Sequence, residues 1–149
     1  MKFRLARESD ADTIARMSRA LVESGLTWRW RIGRVVATIR SRETLCVVAT
    51  NSDGHIIGFA FMKYGETSAH LMLLAVSPRS RRQGLGESLV DWHLVCCRNC
   101  GIRRVNLEVR ASNGGGRAFY SALGFGELEV VRGYYQGRED AVKMQLVLD

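Results

Sequence analysis

The segment Arg81-Arg82-Gln83-Gly84-Leu85-Gly86, with Arg79 just before it, lies where an apolar run gives way to a helical pattern. A helix N-terminus offers unpaired backbone N–H groups and the positive end of a dipole, which suits a phosphate. Gly84 and Gly86 remove side chains where a ligand would approach the backbone. The chemistry that fits is a pyrophosphate cradle. The loop lacks the third glycine of a dinucleotide-binding G-x-G-x-x-G, and no G-K-[ST] follows as in a nucleotide P-loop. Two glycines after a strand also fit a plain turn, so the loop alone leaves both readings open.

Downstream stand a candidate base and a candidate acid. In the strand pattern from Arg103 to Val109, Val105, Leu107 and Val109 share one face, and Asn106, Glu108 and Arg110 share the other. A strand carboxylate such as Glu108 can take a proton directly or through water; the plainer alternative is a solvated glutamate paired with a nearby arginine. Tyr120 falls on a short helical segment that Asn113 is suited to cap. A phenol of pKa about 10 can donate a hydrogen bond or a proton; the alternative is an aromatic packed beside Phe119. Gly114-Gly115-Gly116 opens that helix, and each glycine costs about 1 kcal/mol relative to alanine. A loose first turn is therefore expected.

These groups need elements to position them. Phe3 to Arg7 reads as a strand, followed by a helix with Ser9 as N-cap and Ile14, Met17 and Leu21 at helical spacing. A second helix covers Ile32 to Arg40. Strands follow over Leu45–Thr50 and His55–Tyr64, joined by the turn Asn51-Ser52-Asp53-Gly54. Ala69 to Val76 is apolar almost throughout, as a central strand covered on both faces would be, and Pro78 helps to end it. Then come a helix over Gly84–Asn99, a strand over Arg103–Val109, a helix over Gly114–Leu123, and strands over Phe125–Val131 and Ala141–Leu148. The expected architecture is α/β: one domain over residues 1–149, a mixed twisted sheet of about seven strands, and helices on both faces.

R-x-x-G-x-G between a strand and a helix resembles the coenzyme A motif of the GNAT superfamily of N-acetyltransferases. Leu107 to Asn113, Phe119-Tyr120 and Leu123-Gly124-Phe125 match at the same spacing. Tyr134-Tyr135 and Gly137 to Ala141 are similar to the ribosomal-protein-alanine N-acetyltransferases. The resemblance covers Ala69 to Met144 and implies acetyl-CoA as co-substrate. It implies that Arg81, Arg82, Gln83, Gly84, Leu85 and Gly86 bind the cofactor, with the pyrophosphate at the N–H groups of Gly84 to Gly86, and that the backbone of Leu74, Ala75 and Val76 binds the pantetheine. Asn113 would hydrogen-bond the pantetheine, Glu108 would be the base, and Tyr120 would sit beside the sulfur. A backbone N–H near Val76 would stabilise the oxyanion. Tyr134, Tyr135 and Glu139 would belong to a loop over the acceptor site, with Glu139 or Asp140 drawing in the amine. Trp28 and Trp30 are either a second acceptor wall or anchors of the second helix.

An α-amine, with pKa about 7.7–8.0, is roughly one-tenth neutral at pH 7, whereas a lysine amine near 10.4 is neutral at only a few parts in ten thousand. An N-terminal acceptor therefore asks little of a base. The expected activity is transfer of acetyl to a protein N-terminus such as that of a ribosomal protein. The competing readings are a small-molecule amine acetyltransferase and a non-catalytic acyl-CoA-binding module.

The 149 residues carry a formal charge of +7, partly in clusters from Arg29 to Arg42 and from Arg79 to Arg82. A basic surface fits nucleic acid, a polyanionic assembly or a phosphate-rich ligand. No zinc-finger or RNA-recognition signature accompanies it, so direct nucleic-acid binding is not expected. No apolar run approaches the ~20 residues of a membrane span, and the charged start does not fit a signal peptide; a cytosolic setting is expected. Cys46, Cys96, Cys97 and Cys100 lack the spacing of a metal site and read as small buried hydrophobes, so no metal is expected.

Overall fold

The computed structural model describes residues 1–149. In chain order the elements are β1 (Lys2–Leu5), α1 (Ala11–Met17), α2 (Ile32–Arg40), β2 (Thr44–Thr50), β3 (Ile56–Tyr64), β4 (Ser68–Val76), α3 (Leu85–Asn99), β5 (Arg104–Arg110), α4 (Gly114–Ala122), β6 (Gly126–Tyr135) and β7 (Glu139–Val147). The strands form one seven-stranded sheet in the order β1-β2-β3-β4-β5-β7-β6. Every pairing is antiparallel except β4 with β5. The mixed sheet and the element order agree with the sequence expectation.

Two cores cover the sheet. On one face α3 places Leu85, Leu89, Val90, Leu94 and Cys97 against Ala69, Leu71, Val105 and Leu107. On the other, Ala11, Ile14 and Ala15 of α1 and Val35 of α2 pack on Val48, Phe59, Phe61, Leu73 and Ala75. The apolar run of β4 therefore feeds both faces, as its composition required. Its alternation is not simple. Phe61 pairs with Leu73 but Met62 pairs with Leu71, so Met72 is an extra residue on β4. Such a bulge inverts the alternation. Ala69 and Leu71 face α3, while Leu73 and Ala75 face α1 and α2.

Three local readings are corrected. Ser9 does not cap α1: it sits inside a short 3-10 turn over Glu8–Asp10, and it is Asp10 that accepts the Arg7 N–H at 2.7 Å. Asp10 also takes a bidentate ion pair from Arg4, at 2.7 and 3.0 Å, which competes with the capping geometry expected of Ser9. The last hairpin is longer than its sequence suggests. Tyr134 and Tyr135 belong to β6 and not to a loop, and only Gln136 to Arg138 connect the strands. Gln136 and Gly137 both have positive φ, at 59° and 71°, which makes the reversal tight. Of the cysteines, Cys46 and Cys97 are buried, and burial pushes their thiols up to about 12 and about 11. Cys100 is exposed at the end of α3, contrary to the reading of all four as buried.

Candidate active site

The β4–β5 ladder holds only three residue pairs, ending at His70 with Asn106. Beyond it β4 runs on to Val76 and β5 to Arg110 without pairing to each other. This opens a notch in the middle of the sheet. Backbone groups that a neighbouring strand would satisfy are left to a ligand laid alongside. Leu74, Ala75 and Val76 line the β4 side. Ala75 turns its side chain into the α1/α2 core, and Leu74 and Val76 pack toward α3.

At the open end of the notch the chain crosses the basic loop and enters α3. Arg82 and Gly84 have positive φ, 63° and 75°, and Gly84 is the N-cap residue. Arg81 folds back so that its Nε donates to the carbonyl of Val76 at 3.3 Å. Arg81, Arg82, Gln83 and Gly84 are exposed, whereas the Leu85 side chain is buried, so Leu85 can offer a ligand only its N–H. Gly86 has a second reason to be glycine. A Cβ there would lie 3.2 Å from the Phe119 ring and 3.7 Å from Val76 Cγ2. The loop, the end of β4 and α4 therefore meet at this glycine. The free N–H groups and positive helix end fit a pyrophosphate, and the notch fits an extended pantetheine arm.

Glu108 is the centre of a polar group. His70 Nε2 lies 2.8 Å from its Oε1, and Tyr134 donates its hydroxyl to the same oxygen at 3.0 Å. The other oxygen, Oε2, has no hydrogen-bond partner in the chain. Lys143 stands opposite Glu108 in the β5–β7 register. Burial pushes the Glu108 carboxyl up, but the bond and charge of His70, the Tyr134 bond and the Lys143 charge outweigh it and hold the carboxyl below its ordinary value. Glu108 is thus ionised near neutrality. His70, Asn106, Glu108, Glu129 and Lys143 line an open cavity of about 730 Å³.

Tyr120 is carried by α4. Its ring makes T-shaped contacts with Phe119 and Phe125, with centroids 5.1 and 5.7 Å away. Its hydroxyl forms no hydrogen bond within the chain. Burial, with Tyr135 nearby, raises the phenol well above its ordinary value, so it stays protonated and able to donate. The helix that holds it is capped as expected, with Asn113 Oδ1 accepting the Gly116 N–H at 2.9 Å. A Cβ on residue 116 would lie 2.5 Å from Asn113 Nδ2. That glycine lets the asparagine close over the turn, so α4 is regular in spite of the expected looseness.

The acceptor side departs further from expectation. Glu139 is not free to attract an amine: Arg110 Nη1 donates to it at 2.8 Å and Ser112 Oγ at 3.0 Å. Asp140 Oδ1 instead accepts the Gly133 N–H at 2.9 Å and braces the hairpin. Trp30 is a core anchor, edge-on to Phe61 with centroids 5.9 Å apart, and not an acceptor wall. Tyr134 reaches Glu108, and Tyr135 is largely shielded with its phenol raised chiefly by burial.

Sequence reasoning missed three residues. His70 is the one polar side chain in the apolar run of β4, and that break in pattern was the available signal. Arg110 donates to the carbonyls of Val22 and Ser24 at 2.7 Å each as well as to Glu139. Gln136 exchanges two hydrogen bonds with the backbone of Thr27, at 2.9 and 3.0 Å. Together these join the α1–α2 connection to the β6–β7 hairpin across the Glu108 end of the sheet. No sequence pattern marks contacts so far apart in the chain.

The profile of the Acetyltransferase (GNAT) family matches residues 11–125. A ribosomal protein bS18-alanine N-acetyltransferase from Escherichia coli is 39% identical over 97 residues, covering 63% of this chain and 66% of that protein. The match thus spans slightly less than two thirds of that relative's length. An N-alpha-acetyltransferase from Sulfurisphaera tokodaii is 28% identical over 156 residues, covering 96% of this chain and 90% of its own. The crystal structure of the ribosomal-protein-S18-alanine N-acetyltransferase from Escherichia coli superposes with a TM-score of 0.84 at 28% identity, covering 99% of this chain and 94% of that one. With more than half of its residues matched by the family profile and the split sheet in place, the chain belongs to the GNAT acetyltransferase family.

Proposed function

We propose that this protein transfers the acetyl group of acetyl-CoA to the free α-amine of a protein N-terminus. The observation that carries the reading is Glu108: an ionised carboxylate fixed through one oxygen by His70 and Tyr134, its other oxygen unengaged, beside the notch between β4 and β5. Acetyl-CoA lies with its pantetheine along Leu74, Ala75 and Val76 and beside Asn113, and its pyrophosphate at the N–H groups from Gly84 to Gly86. The amine nitrogen attacks the thioester carbonyl carbon, forming the C–N bond. Glu108 takes the proton that nitrogen sheds, directly or through water. The C–S bond breaks, and the Tyr120 hydroxyl gives its proton to the departing sulfur. The proton held by Glu108 restores Tyr120 through solvent, and the balance closes with amide and thiol. A backbone N–H near Val76 polarises the carbonyl.

The α-amine is favoured over lysine because Glu108 is held below the usual carboxylate range and is therefore a weak base. It suits an amine already neutral in part near pH 7. The names of the Escherichia coli and Sulfurisphaera relatives support the same acceptor class, and a ribosomal protein with N-terminal alanine is the first peptide to try. The test is acetyl-CoA turnover against a panel of free N-terminal peptides, the same peptides blocked at the N-terminus but bearing lysine, and free polyamines and amino acids. Turnover confined to unblocked peptides is expected. Efficient acetylation of a polyamine, with none of any peptide, would move the activity to the small-molecule class. Ligand binding without turnover would leave an acyl-CoA-binding module.

A further inference from the structure

Residues 11–42 carry seven arginines against two acids, Asp12 and Glu23, which is a net +5 of the chain's +7. The fold brings Arg16, Arg19, Arg31 and Arg34 around Trp28 and Trp30 of the α1–α2 connection. All seven are exposed. Arg16 pairs with Asp12 and Arg40 with Glu8. Arg19, Arg29, Arg31 and Arg34 have neither a salt bridge nor a side-chain hydrogen bond within the chain. The one other acid of the segment, Glu23, is buried and accepts from Ser18 and from the N–H groups of Arg29 and Trp30.

Three of these four arginines lie over aromatic rings. The guanidinium carbons of Arg19 and Arg31 lie 5.1 and 4.8 Å from the Trp28 ring centre, and that of Arg34 lies 3.9 Å from Trp30. A shallow cavity of about 610 Å³ opens beside them, lined by Arg16, Arg19, Ala20, Ser24 and Trp28. Trp28 Nε1 is buried with no acceptor in the chain. Only Ala20 and Trp28 of its five lining residues are apolar, and Trp28 already carries two guanidinium groups over its ring. Its charge is carried entirely by arginine, whose planar fork matches phosphate oxygens, and whose plane can stack a base.

We propose that this surface binds single-stranded RNA through its phosphates, with Arg19, Arg29, Arg31 and Arg34 as the contacts. This runs against the expectation of no direct nucleic-acid binding, which rested on the lack of a motif: the arginines come from a helix, a connection and a second helix, and no local pattern announces them. The surface joins the candidate active site through Ser24, whose carbonyl is held by Arg110. RNA bound here would bring a protein that travels with RNA close to the Glu108 cleft, but the binding itself does not rest on the acetyltransferase reading.

The experiment is fluorescence anisotropy of the full chain with a labelled 20-nucleotide poly(U), over a range of salt concentrations. Four phosphate contacts on a single strand give a slope of log K against log salt of about −3, at roughly 0.7 per contact. Arg19→Ala with Arg31→Ala should reduce the slope to about −1.4, with the fold checked by circular dichroism. Arg103→Ala with Arg104→Ala removes equal charge elsewhere and should leave the slope unchanged. Equal losses from the two double variants would overturn the assignment, as would no measurable binding at low salt. Competition by poly-glutamate or by anionic vesicles as strong as that by unlabelled RNA would overturn it in favour of an acidic protein or a membrane surface.

Discussion

Glu108, His70 and Tyr134 share a single carboxylate oxygen, and this sets what each substitution should do. Glu108→Gln keeps the shape and removes the proposed proton acceptor. It should lower kcat by roughly 10²–10⁴, the range of a general acid–base group, and the loss should shrink at high pH where the amine is already neutral. His70→Gln or Tyr134→Phe removes part of what holds the carboxyl low. With either, the Glu108 pKa rises, so the acid limb of the kcat/KM profile should move to higher pH. A profile that stays put would separate His70 from the base. Tyr120→Phe removes a hydroxyl with no partner in the chain. Thermal stability and acetyl-CoA affinity should hold while kcat falls, checked by melting, calorimetry and steady-state rates.

Two junctions between elements decide whether these residues meet. The first is Gly86, where α3, the end of β4 and Phe119 of α4 converge. Gly86→Val should weaken acetyl-CoA binding and also lower kcat, because the displaced Phe119 neighbours Tyr120 on the same helix. Calorimetry and single-turnover rates on the same sample read the two effects apart. The second is Arg110, which ties the α1–α2 connection to β7. Arg110→Ala strands a partly buried Glu139 and frees two carbonyls. Breaking a buried pair costs about 3–5 kcal/mol, and partial exposure reduces this to about 2 kcal/mol here. At this chain length that corresponds to a drop in Tm of about 4–8 °C. The KM for the peptide should rise while the KM for acetyl-CoA holds, since only the acceptor side loses its frame.

At the scale of the whole molecule, stability should depend on pH through a buried histidine. His93 lies in the α3 core between the Tyr64 hydroxyl and the Ala60 carbonyl, each at 2.9 Å, and burial lowers its pKa to about 4. The unfolded chain takes up the proton near pH 6.5, and the folded chain only near pH 4. Stability is therefore fully present above about pH 6.5 and is lost progressively down to pH 4, by about 3 kcal/mol in all. His93→Gln should flatten this part of the curve in urea titrations. No helix of the chain is long and apolar enough to cross a membrane.

The sequence by itself determined the elements and their order. Apolar periodicity marks each helix and strand locally, and the run over β4 carries the signature of a strand covered on both faces. It also determined which residue types stand at the proposed phosphate loop and at positions 108, 113 and 120, because those signals lie within a few neighbours. It misplaced Ser9 as a cap and Tyr134 and Tyr135 as a loop, since competing side-chain bonds and a tight left-handed turn are not written in periodicity. Only the tertiary structure decided that β4 and β5 part after His70, that a bulge at Met72 turns Ala75 to the opposite core, and that Glu139 belongs to Arg110 and not to an incoming amine. Pairings such as His70 with Glu108 and Thr27 with Gln136 join residues far apart in the chain. They exist because the sheet and its connections close on one another, and no local stretch of sequence records that closure.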